Sequence, residues 1–360
     1  MPDGSSGSRP RPRGRGTALN PSGRFESLRL SPDPEFDPAE LPSPRTQFFT
    51  DSASSLITYN DSPDVGFEAS LNLYRGCEHG CAYCFARPFH EYLGQSAGLD
   101  FETKIFVKTA APALLRAELS HRSWKPQTVV MSGVTDCYQP AERAFKLTRR
   151  CLEAFAEFRN PVSIITKNGL VTRDLPVLSE MAKWNGARVL VSVTTLQSEL
   201  TQRMEPRAST PDFRLRAIRE LSAAGIPVGV MVAPVIPGLT DVEMPSILEA
   251  AREAGAVWAG YVLLRLPHGV KEIFLAWLDE HEPSKKARIL DRLRSCRGGR
   301  LYDPRFGVRG TGTGEWADQL GNLFRIMSKK LGFCDELTPL SASHFRVPGR
   351  PQQLELLPEG

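Results

Sequence analysis

Three cysteines lie within eight residues of the chain, as Cys77, Cys81 and Cys84 in the stretch NLYRGCEHGCAYCFARP. Three thiolates this close together can converge on one soft metal centre. Gly76 and Gly80 give the loop the backbone freedom to fold around such a centre. The other cysteines are scattered along the sequence, as is typical of reduced thiols in a cytosolic chain. The spacing therefore predicts a metal centre in this loop.

Two kinds of metal centre compete for three clustered thiolates. A structural zinc ion takes four ligands in a closed tetrahedron, so it would have to recruit His79, Cys137 or a more distant residue. A four-iron cluster held by three thiolates leaves one iron open to bind a small molecule. The missing fourth ligand favours the iron cluster. A zinc-stabilised nucleic-acid-binding protein is kept as the alternative.

The elements that must position these cysteines follow an alternating pattern of short apolar runs and amphipathic segments. This alternation predicts an α/β fold, and continuous apolarity within the runs predicts strands buried on both faces of a parallel sheet. Six strand-helix units favour a partial (βα)6 TIM-like barrel, whose functional groups would lie at the carboxyl ends of the strands. The predicted strands are Ser70–Tyr74, Thr128–Ser132, Val162–Thr166, Val189–Val193, Val228–Val232 and Tyr261–Leu264. The predicted helices are Ala111–Ser120, Arg143–Phe158, Leu175–Trp184, Asp212–Ala224, Val242–Glu253, Lys271–His281, Ser284–Arg294 and Glu315–Lys330.

The pattern CxxxCxYC directly after the first predicted strand resembles the radical S-adenosylmethionine (SAM) superfamily. The resemblance implies a [4Fe-4S] cluster on Cys77, Cys81 and Cys84 whose open iron chelates SAM. It also implies one-electron cleavage of SAM to a 5′-deoxyadenosyl radical, which abstracts hydrogen from a substrate. A low-potential electron donor of the flavodoxin or ferredoxin type is then required.

A narrower resemblance extends over residues 46–330. The stretches SGVTDCYQPAER, ITKN, VSVTTL, MEPRAS and AGIPVGVMVAPVIPG are similar to a bacterial radical SAM family related to spore photoproduct lyase, a DNA-repair enzyme. By this resemblance a DNA or RNA lesion or a modified base is one candidate substrate. Peptides and small molecules are the others.

The resemblance to the lyase also implies contacts to SAM. Thr135 and Asp136 correspond to a Ser-Asp pair, and Asp136 would accept a hydrogen bond from the SAM amino group. Lys167 would contact the SAM carboxylate, and Ser192 matches a serine on the same ligand. Capping of the helix Arg143–Phe158 is the alternative role of Asp136.

Two further residues near the motifs are implied to contact SAM. Tyr83 would lie beside the adenine, as the aromatic residue does at this position across the superfamily. Arg207, in MEPRAS, could reach the SAM carboxylate or ribose, whereas a surface ion pair with Glu205 is the alternative.

The sequence departs from the lyase at both positions of its hydrogen-transfer relay. Gly133 stands where the lyase has a hydrogen-donor cysteine, and Phe85 stands where it has a tyrosine. Cys137 and Tyr138 are candidates for a relocated donor pair. Cleavage of the lyase's own substrate is therefore not inferred, and the hydrogen donor stays open.

The remaining sequence divides the chain into three parts. We expect residues 1–45 to be a disordered basic and proline-rich arm. Residues 46–282 are expected to form the radical SAM core, and residues 283–360 are expected to form a helical extension and tail. Residues 1–24 hold five arginines and one aspartate, which accounts for the whole net charge of +4 and leaves a neutral body. Nucleic-acid attraction therefore concentrates in the arm. The chain shows no membrane or secretion segment, so a cytoplasmic location is expected.

Overall fold

The computed structural model describes residues 12–25 and 44–349. The predictions for residues 1–11, 26–43 and 350–360 fall outside these ranges. Parts of the predicted arm and of the C-terminal tail are among them.

A seven-stranded sheet forms the centre of the fold, in the order β10-β9-β8-β7-β6-β3-β2. Six of its strands are parallel and adjacent in chain order, and β2 pairs antiparallel with β3. The α/β prediction is confirmed. The strands are β2 (Ile57–Tyr59), β3 (Ala69–Leu71), β6 (Val129–Met131), β7 (Val162–Thr166), β8 (Ala187–Ser192), β9 (Val228–Val235) and β10 (Trp258–Leu263).

The middle strands are buried on both faces, as their sequence predicts. Val189 and Val191 of β8 are fully buried, and Leu190 between them, which points to the opposite face, is 6% exposed. Alternate side chains of a strand point to opposite faces, so burial of consecutive residues means that both faces are covered.

Eleven helices are present in the described part of the chain. The predicted helix at Arg143–Phe158 is divided into two, because Lys146 takes a left-handed φ of 52° between them. Two helices extend the fold after His281, close to the predicted Ser284–Arg294 and Glu315–Lys330. The helices are α1 (Leu99–Thr103), α2 (Ala111–Ser120), α3 (Glu142–Phe145), α4 (Leu147–Phe158), α5 (Leu175–Ala182), α6 (Ser198–Met204), α7 (Pro211–Ala223), α8 (Met244–Glu253), α9 (Val270–His281), α10 (Lys286–Ser295) and α11 (Glu315–Leu331).

A second sheet of three short strands, which the sequence pattern does not predict, lies beside the cysteine loop. Its order is β1 (Gln47–Thr50), β5 (Lys104–Val107) and β4 (Tyr74–Arg75), and β4 ends two residues before Cys77. The backbone N–H of Cys77 donates to the carbonyl of Phe101 at 2.8 Å. The small sheet and the helix Leu99–Thr103 therefore hold the chain where it enters the loop.

Residues 12–25, named the N-terminal strap, pack against the core. The prediction of a disordered arm is wrong for these residues. Arg15 is only 5% exposed, and its guanidinium donates to the carbonyls of Glu102 and Pro44, both at 2.9 Å. The carbonyl of Leu19 accepts from the backbone N–H of Leu99 at 2.8 Å. Hydrogen bonds to distant backbone hold the strap, which has little apolar side chain of its own.

None of the helices in the described ranges is both long and apolar enough to span a membrane.

Candidate metal centre and adjoining cleft

The three clustered cysteines are free thiols in a tightly folded loop. Cys77 and Cys81 are buried, and Cys84 is half-buried. Gly76 and Gly80 have φ values of +83° and +67°, in the left-handed region that favours glycine. The structure therefore confirms that this loop depends on both glycines.

Burial dominates the chemistry of the three thiols. It raises the pKa of Cys77, Cys81 and Cys84, so without a cationic partner all three are neutral at physiological pH. Backbone N–H groups of His79 and Asp136 point at the sulfur of Cys77 and act in the opposite direction on its pKa. Buried thiols that accept backbone hydrogen bonds are a donor set for thiolate coordination of a soft metal.

No group of three or more His, Cys, Asp or Glu side chains is arranged around a single point as ligands of one metal ion, in the part of the chain described here. A mononuclear site needs its ligands on one ion. In an iron-sulfur cluster each thiolate binds a different iron, so the three sulfurs do not have to meet at one point.

Arg87 holds the loop from behind. Its Nε donates to the carbonyl of Cys81 at 3.0 Å, and its Nη2 lies 2.6 Å from a carboxylate oxygen of Glu102. Both side chains of this ion pair are fully buried. Arg87 also donates to the carbonyls of Ala97 and Gly98. Glu102 thus balances the charge of Arg87, and each nitrogen of its guanidinium has a hydrogen-bond partner.

The N-terminal strap closes over the same loop. The backbone N–H of Gly16 donates to the second carboxylate oxygen of Glu102 at 2.8 Å. A β-carbon on Gly16 would lie 1.6 Å from the carbonyl oxygen of Gly80. The strap backbone therefore lies directly on the cysteine loop and shares with Arg87 the carboxylate that supports it.

Asp136 links the ends of β6 and β7. One oxygen of its carboxylate accepts from the backbone N–H of Tyr138 and from the hydroxyl of Thr166, both at 2.8 Å. The other accepts from the backbone N–H of Lys167 at 2.7 Å and lies 3.5 Å from Nδ1 of His79. Burial lowers the pKa of His79 to about 4, so this imidazole is neutral. Neither α3 nor α4 has a side-chain cap, so the helix-cap alternative is wrong.

Lys167 directly follows β7, at the same carboxyl-terminal edge of the sheet as Asp136. Its Nζ donates to the carbonyl of Ala233 at 3.2 Å, and burial lowers its pKa. The sulfurs of Cys81 and Cys84 lie close enough to affect that pKa electrostatically. Ser192, the last residue of β8, is 3% exposed. The structure thus brings Asp136 and Lys167 close to the cysteine loop.

Tyr83 belongs to a buried polar network beneath the loop. Its hydroxyl donates to the carboxylate of Glu205, which also accepts from the hydroxyl of Thr194 at 2.7 Å. Arg214 forms an ion pair with the other carboxylate oxygen of Glu205 and donates to the carbonyl of Ser192 at 3.0 Å. The network ties the loop to α6, α7 and the end of β8.

Two other predicted SAM contacts are engaged within the protein. The hydroxyl of Thr135 donates to the carbonyl of Tyr74 at 2.6 Å. Arg207 pairs with Glu78, at 2.7 Å, rather than with Glu205, so the alternative surface pair is wrong. Glu205 is unavailable because it is fully buried beneath the loop.

Cys137 and Tyr138 lie in the main core, away from the cleft described below. Both are essentially inaccessible, at 1% and 0% exposed. The Tyr138 hydroxyl donates to the carboxylate of Asp174 at 2.9 Å. This environment does not suit a relocated hydrogen-donor pair, and we do not propose these residues as donors.

A cleft of about 360 Å³ opens next to the cysteine loop. Phe85, the residue after Cys84, lines it together with Gly133, which follows β6. Arg24 of the strap reaches it from one side, and Arg265, two residues after the end of β10, reaches it from another. Sequence reasoning missed both arginines. For Arg265 a signal existed, since a charged residue closes an apolar strand in YVLLR.

Comparisons with known proteins agree with this site. The Radical SAM superfamily model matches residues 71–251, about half of the chain. A protein of Mycobacterium tuberculosis (strain ATCC 25618 / H37Rv), described only as uncharacterised, is 40% identical over 243 residues, which are 67% of this chain and 72% of that protein. Another such protein, of Methanocaldococcus jannaschii, is 31% identical over 184 residues, covering 51% of this chain and 66% of that protein.

The fold is similar to that of spore photoproduct lyase. The structure of that enzyme in complex with dinucleoside spore photoproduct matches with a TM-score of 0.56 and 17% identity, over 79% of this chain and 80% of the other. A mutant of that lyase with bound AdoMet and dinucleoside spore photoproduct gives the same values. The resemblance carried by CxxxCxYC is confirmed: the chain belongs to the radical SAM superfamily of enzymes.

Proposed function

We propose that Cys77, Cys81 and Cys84 hold a [4Fe-4S] cluster and that SAM binds at the iron without a cysteine ligand. The observation that carries this proposal is the set of three free thiols, two buried and one half-buried, in one loop beside Lys167 and Asp136. When bound, the cluster and SAM supply a 5′-deoxyadenosyl radical that removes a hydrogen atom from substrate. Within residues 12–25 and 44–349, the lack of a ligand group around one point speaks against the zinc alternative.

The buried polar groups around the loop orient SAM. Lys167 lies in a water-poor site, where the SAM carboxylate favours its charged form, and it binds that carboxylate through a charge-assisted hydrogen bond. Asp136 attracts the amino group, and the hydrogen bonds that it accepts from Thr166 and Lys167 at the end of β7 keep the carboxylate in place. Ser192, at the end of β8, and Thr135, after β6, complete the polar contacts on either side of β7.

Tyr83 and Arg207 contact the cofactor from two sides. The Tyr83 ring lies beside the adenine, and the hydrogen bond from its hydroxyl to Glu205 fixes the orientation of the ring. Arg207 contacts the SAM carboxylate or ribose with the part of its guanidinium that Glu78 does not use.

The six parallel strands form the framework, and we propose that they curve into a partial (βα)6 barrel spanning residues 46–282. Strand order equals chain order, which is the topology such a barrel requires. Residues 283–360 form an extension, of which α10 and α11 are described. All proposed SAM contacts except Tyr83 and Arg207 then lie at or just after the carboxyl ends of strands, as in other barrel enzymes.

The substrate enters the cleft beside Phe85. Both residues that replace the lyase's relay, Gly133 and Phe85, line this cleft, so substrate meets no thiol or phenol at these positions. A nucleic-acid lesion or modified base remains the leading substrate class, supported by the fold similarity to the lyase. The chemical outcome differs from the lyase reaction, because the hydrogen-return groups are absent at these two positions.

The reaction requires one electron from a low-potential flavodoxin or ferredoxin. Free thiols and a reduced cluster both favour the reducing cytoplasm as the place of action.

Electron paramagnetic resonance of the anaerobically reconstituted, reduced protein tests the proposal. We expect a reduced [4Fe-4S] signal that changes when SAM is added and that is lost in Cys81→Ala. The Cys151→Ala variant is the matched control, since Cys151 is fully buried and far from the loop in the main core. Loading of zinc but not of iron would overturn the proposal and support the structural zinc alternative.

A further inference from the structure

The cleft beside the cysteine loop is assembled from segments that lie at the carboxyl ends of the parallel strands. Gly133 and Val134 follow β6, Arg265 follows β10, and Phe85 follows the last cysteine of the loop. Its volume of about 360 Å³ lies at the lower end of the range of about 300–1,000 Å³ for small-molecule sites. The space suits one compact unit and excludes an intact duplex.

The charged residues that line this cleft are arginines. Three arginines line it, Arg24, Arg265 and Arg309, and none of its lining residues in the described chain is an aspartate or glutamate. Carboxylates outside the cleft neutralise two of them, since Arg24 pairs with Glu91 and Arg309 pairs with Asp64. The cleft nevertheless retains one uncompensated charge.

That charge belongs to Arg265. Within residues 12–25 and 44–349 its side chain has no ion pair or hydrogen bond, and its Nε is buried without a partner. Asp64 interacts electrostatically with Arg265 but forms no hydrogen bond with it, and Asp64 forms an ion pair with Arg309 instead. A guanidinium with a buried, unsatisfied donor carries a desolvation penalty that an incoming anion would relieve.

Arg265 contacts one aromatic ring, and further rings line the same cleft. The guanidinium carbon of Arg265 lies 5.1 Å from the centre of the Phe85 ring, a cation–π arrangement that fixes the side chain at the cleft wall. Phe89 and Tyr92 also line the cleft and are 51% and 65% exposed, although side chains of this size are usually covered. Exposed rings next to an arginine are the combination that stacks and holds unpaired bases.

We propose that this cleft binds a single nucleotide unit, with its base against the aromatic rings and its phosphate on Arg265. The proposal rests on the proposed function, because it takes the cleft as the substrate site. The phosphate matches the planar donor fork of a guanidinium, and the cleft admits a base that is single-stranded or turned out of a helix. A free nucleotide and a nucleotide within a strand present the same two groups.

Binding by fluorescence anisotropy tests the proposal without requiring turnover. The probe is fluorescein-labelled single-stranded pentathymidylate, and the competitors are thymidine monophosphate, thymidine and indole-3-acetate. We expect the monophosphate to displace the probe at least about tenfold better than thymidine, since a charge-assisted hydrogen bond is lost with the phosphate. Arg265→Gln should weaken probe binding by a similar factor and lower the slope of log affinity against log salt by about 1.

Two controls separate a direct contact from general attraction. Arg219→Gln removes the same charge from an exposed position on α7, outside the cleft, and should leave affinity and slope almost unchanged. Replacing Arg9 and Arg11 by Gln removes basic residues of the N-terminal arm, and Arg265→Gln should weaken binding equally in this background.

Several results would overturn the proposal. The first two are no probe binding by the wild type and equal effects of the substitutions at Arg265 and Arg219. The other two are displacement of the probe by thymidine as strong as by thymidine monophosphate, and displacement by indole-3-acetate stronger than by thymidine monophosphate. A preference for the strand over the free monophosphate would identify nucleic acid as the source of the nucleotide. Iron content, measured on the same samples, reports separately on the proposed function: a protein that binds the probe but no iron would refute only the radical mechanism.

Discussion

The Cα of Gly16 lies so close to the cysteine loop that a β-carbon there would approach the carbonyl oxygen of Gly80 to 1.6 Å. The two glycines thus form a backbone-to-backbone contact between the N-terminal strap and the proposed cluster site. Between them Glu102 accepts the N–H of Gly16, and it also pairs with the arginine that holds Cys81. The strap is therefore a structural part of the site, although it lies more than fifty residues before it in sequence.

Substitution of Gly16 by alanine should loosen the strap and expose the loop. Neither partner in this contact is a flexible side chain, so the backbone must move, and overpacking of this kind costs about 1–3 kcal/mol. We expect faster proteolysis at the strap and faster loss of the cluster's visible absorbance in air. Gly310→Ala is the control, because a β-carbon there meets nothing within 4 Å. Equal behaviour of the two variants would show that the strap does not protect the loop.

The Arg87–Glu102 pair should be a stability determinant of the loop. Glu102→Gln leaves the fully buried Arg87 guanidinium without its counter-charge, and breaking such a pair costs about 3–5 kcal/mol. The amide group would also point a donor at either Arg87 or the N–H of Gly16. Chemical denaturation of the anaerobic protein measures the loss.

Glu180→Gln provides the comparison for an exposed pair. Glu180 and its partner Lys183 are 66% and 68% exposed, so this change should cost at most about 1 kcal/mol. A loss at Glu102 no larger than that at Glu180 would contradict the support that we assign to the buried pair.

Lys167→Met should separate cofactor binding from cluster assembly. The side chain is no thiolate ligand, so iron content and the reduced cluster signal should equal those of the wild type. SAM affinity should fall about tenfold to hundredfold, the value of a charge-assisted hydrogen bond in a water-poor site. Titration of the signal with SAM gives the affinity, and Lys183→Met on the surface is the matched control. If Lys167→Met binds SAM normally, the carboxylate contact is assigned to the wrong residue.

The signals that predicted this site are local in sequence. Cysteine spacing, the two loop glycines and apolar runs that end in Asp136 or Lys167 can each be recognised within a few residues. These features gave the loop, the six parallel strands and the polar residues at their carboxyl ends.

What the sequence could not predict depends on distant partners. Arg15 looks like part of a solvated arm, but its donors satisfy the carbonyls of Pro44 and Glu102, 29 and 87 residues away. Arg207 pairs with distant Glu78 instead of its near neighbour in sequence, because Glu205 is buried beneath the loop. Such contacts exist only after the chain has folded, and no local pattern encodes them.

The space around Gly133 decides whether the absence of a thiol in the cleft is a steric necessity. A β-carbon there would meet the β-carbon of Ser70 at 3.4 Å and the ring of Phe67 at 3.7 Å, which are ordinary contacts. Gly133 is also not among the described glycines whose backbone has a positive φ. The fold therefore accepts a side chain at this position, and packing does not require glycine.

Gly133→Cys should consequently fold with a stability within about 1 kcal/mol of the wild type, as is usual where no strain or burial mechanism operates. Its new thiol should face the cleft and react with iodoacetamide much faster than Cys137, which is 1% exposed. Peptide mapping measures the alkylation of each cysteine. The Cys334→Ser background removes the exposed thiol of Cys334, and the protein is loaded with iron so that the loop cysteines are bound. Thymidine monophosphate should slow the reaction if the cleft is the substrate site. An introduced thiol as inert as Cys137 would show that position 133 is closed to ligands, and the cleft could then not present substrate to the cofactor.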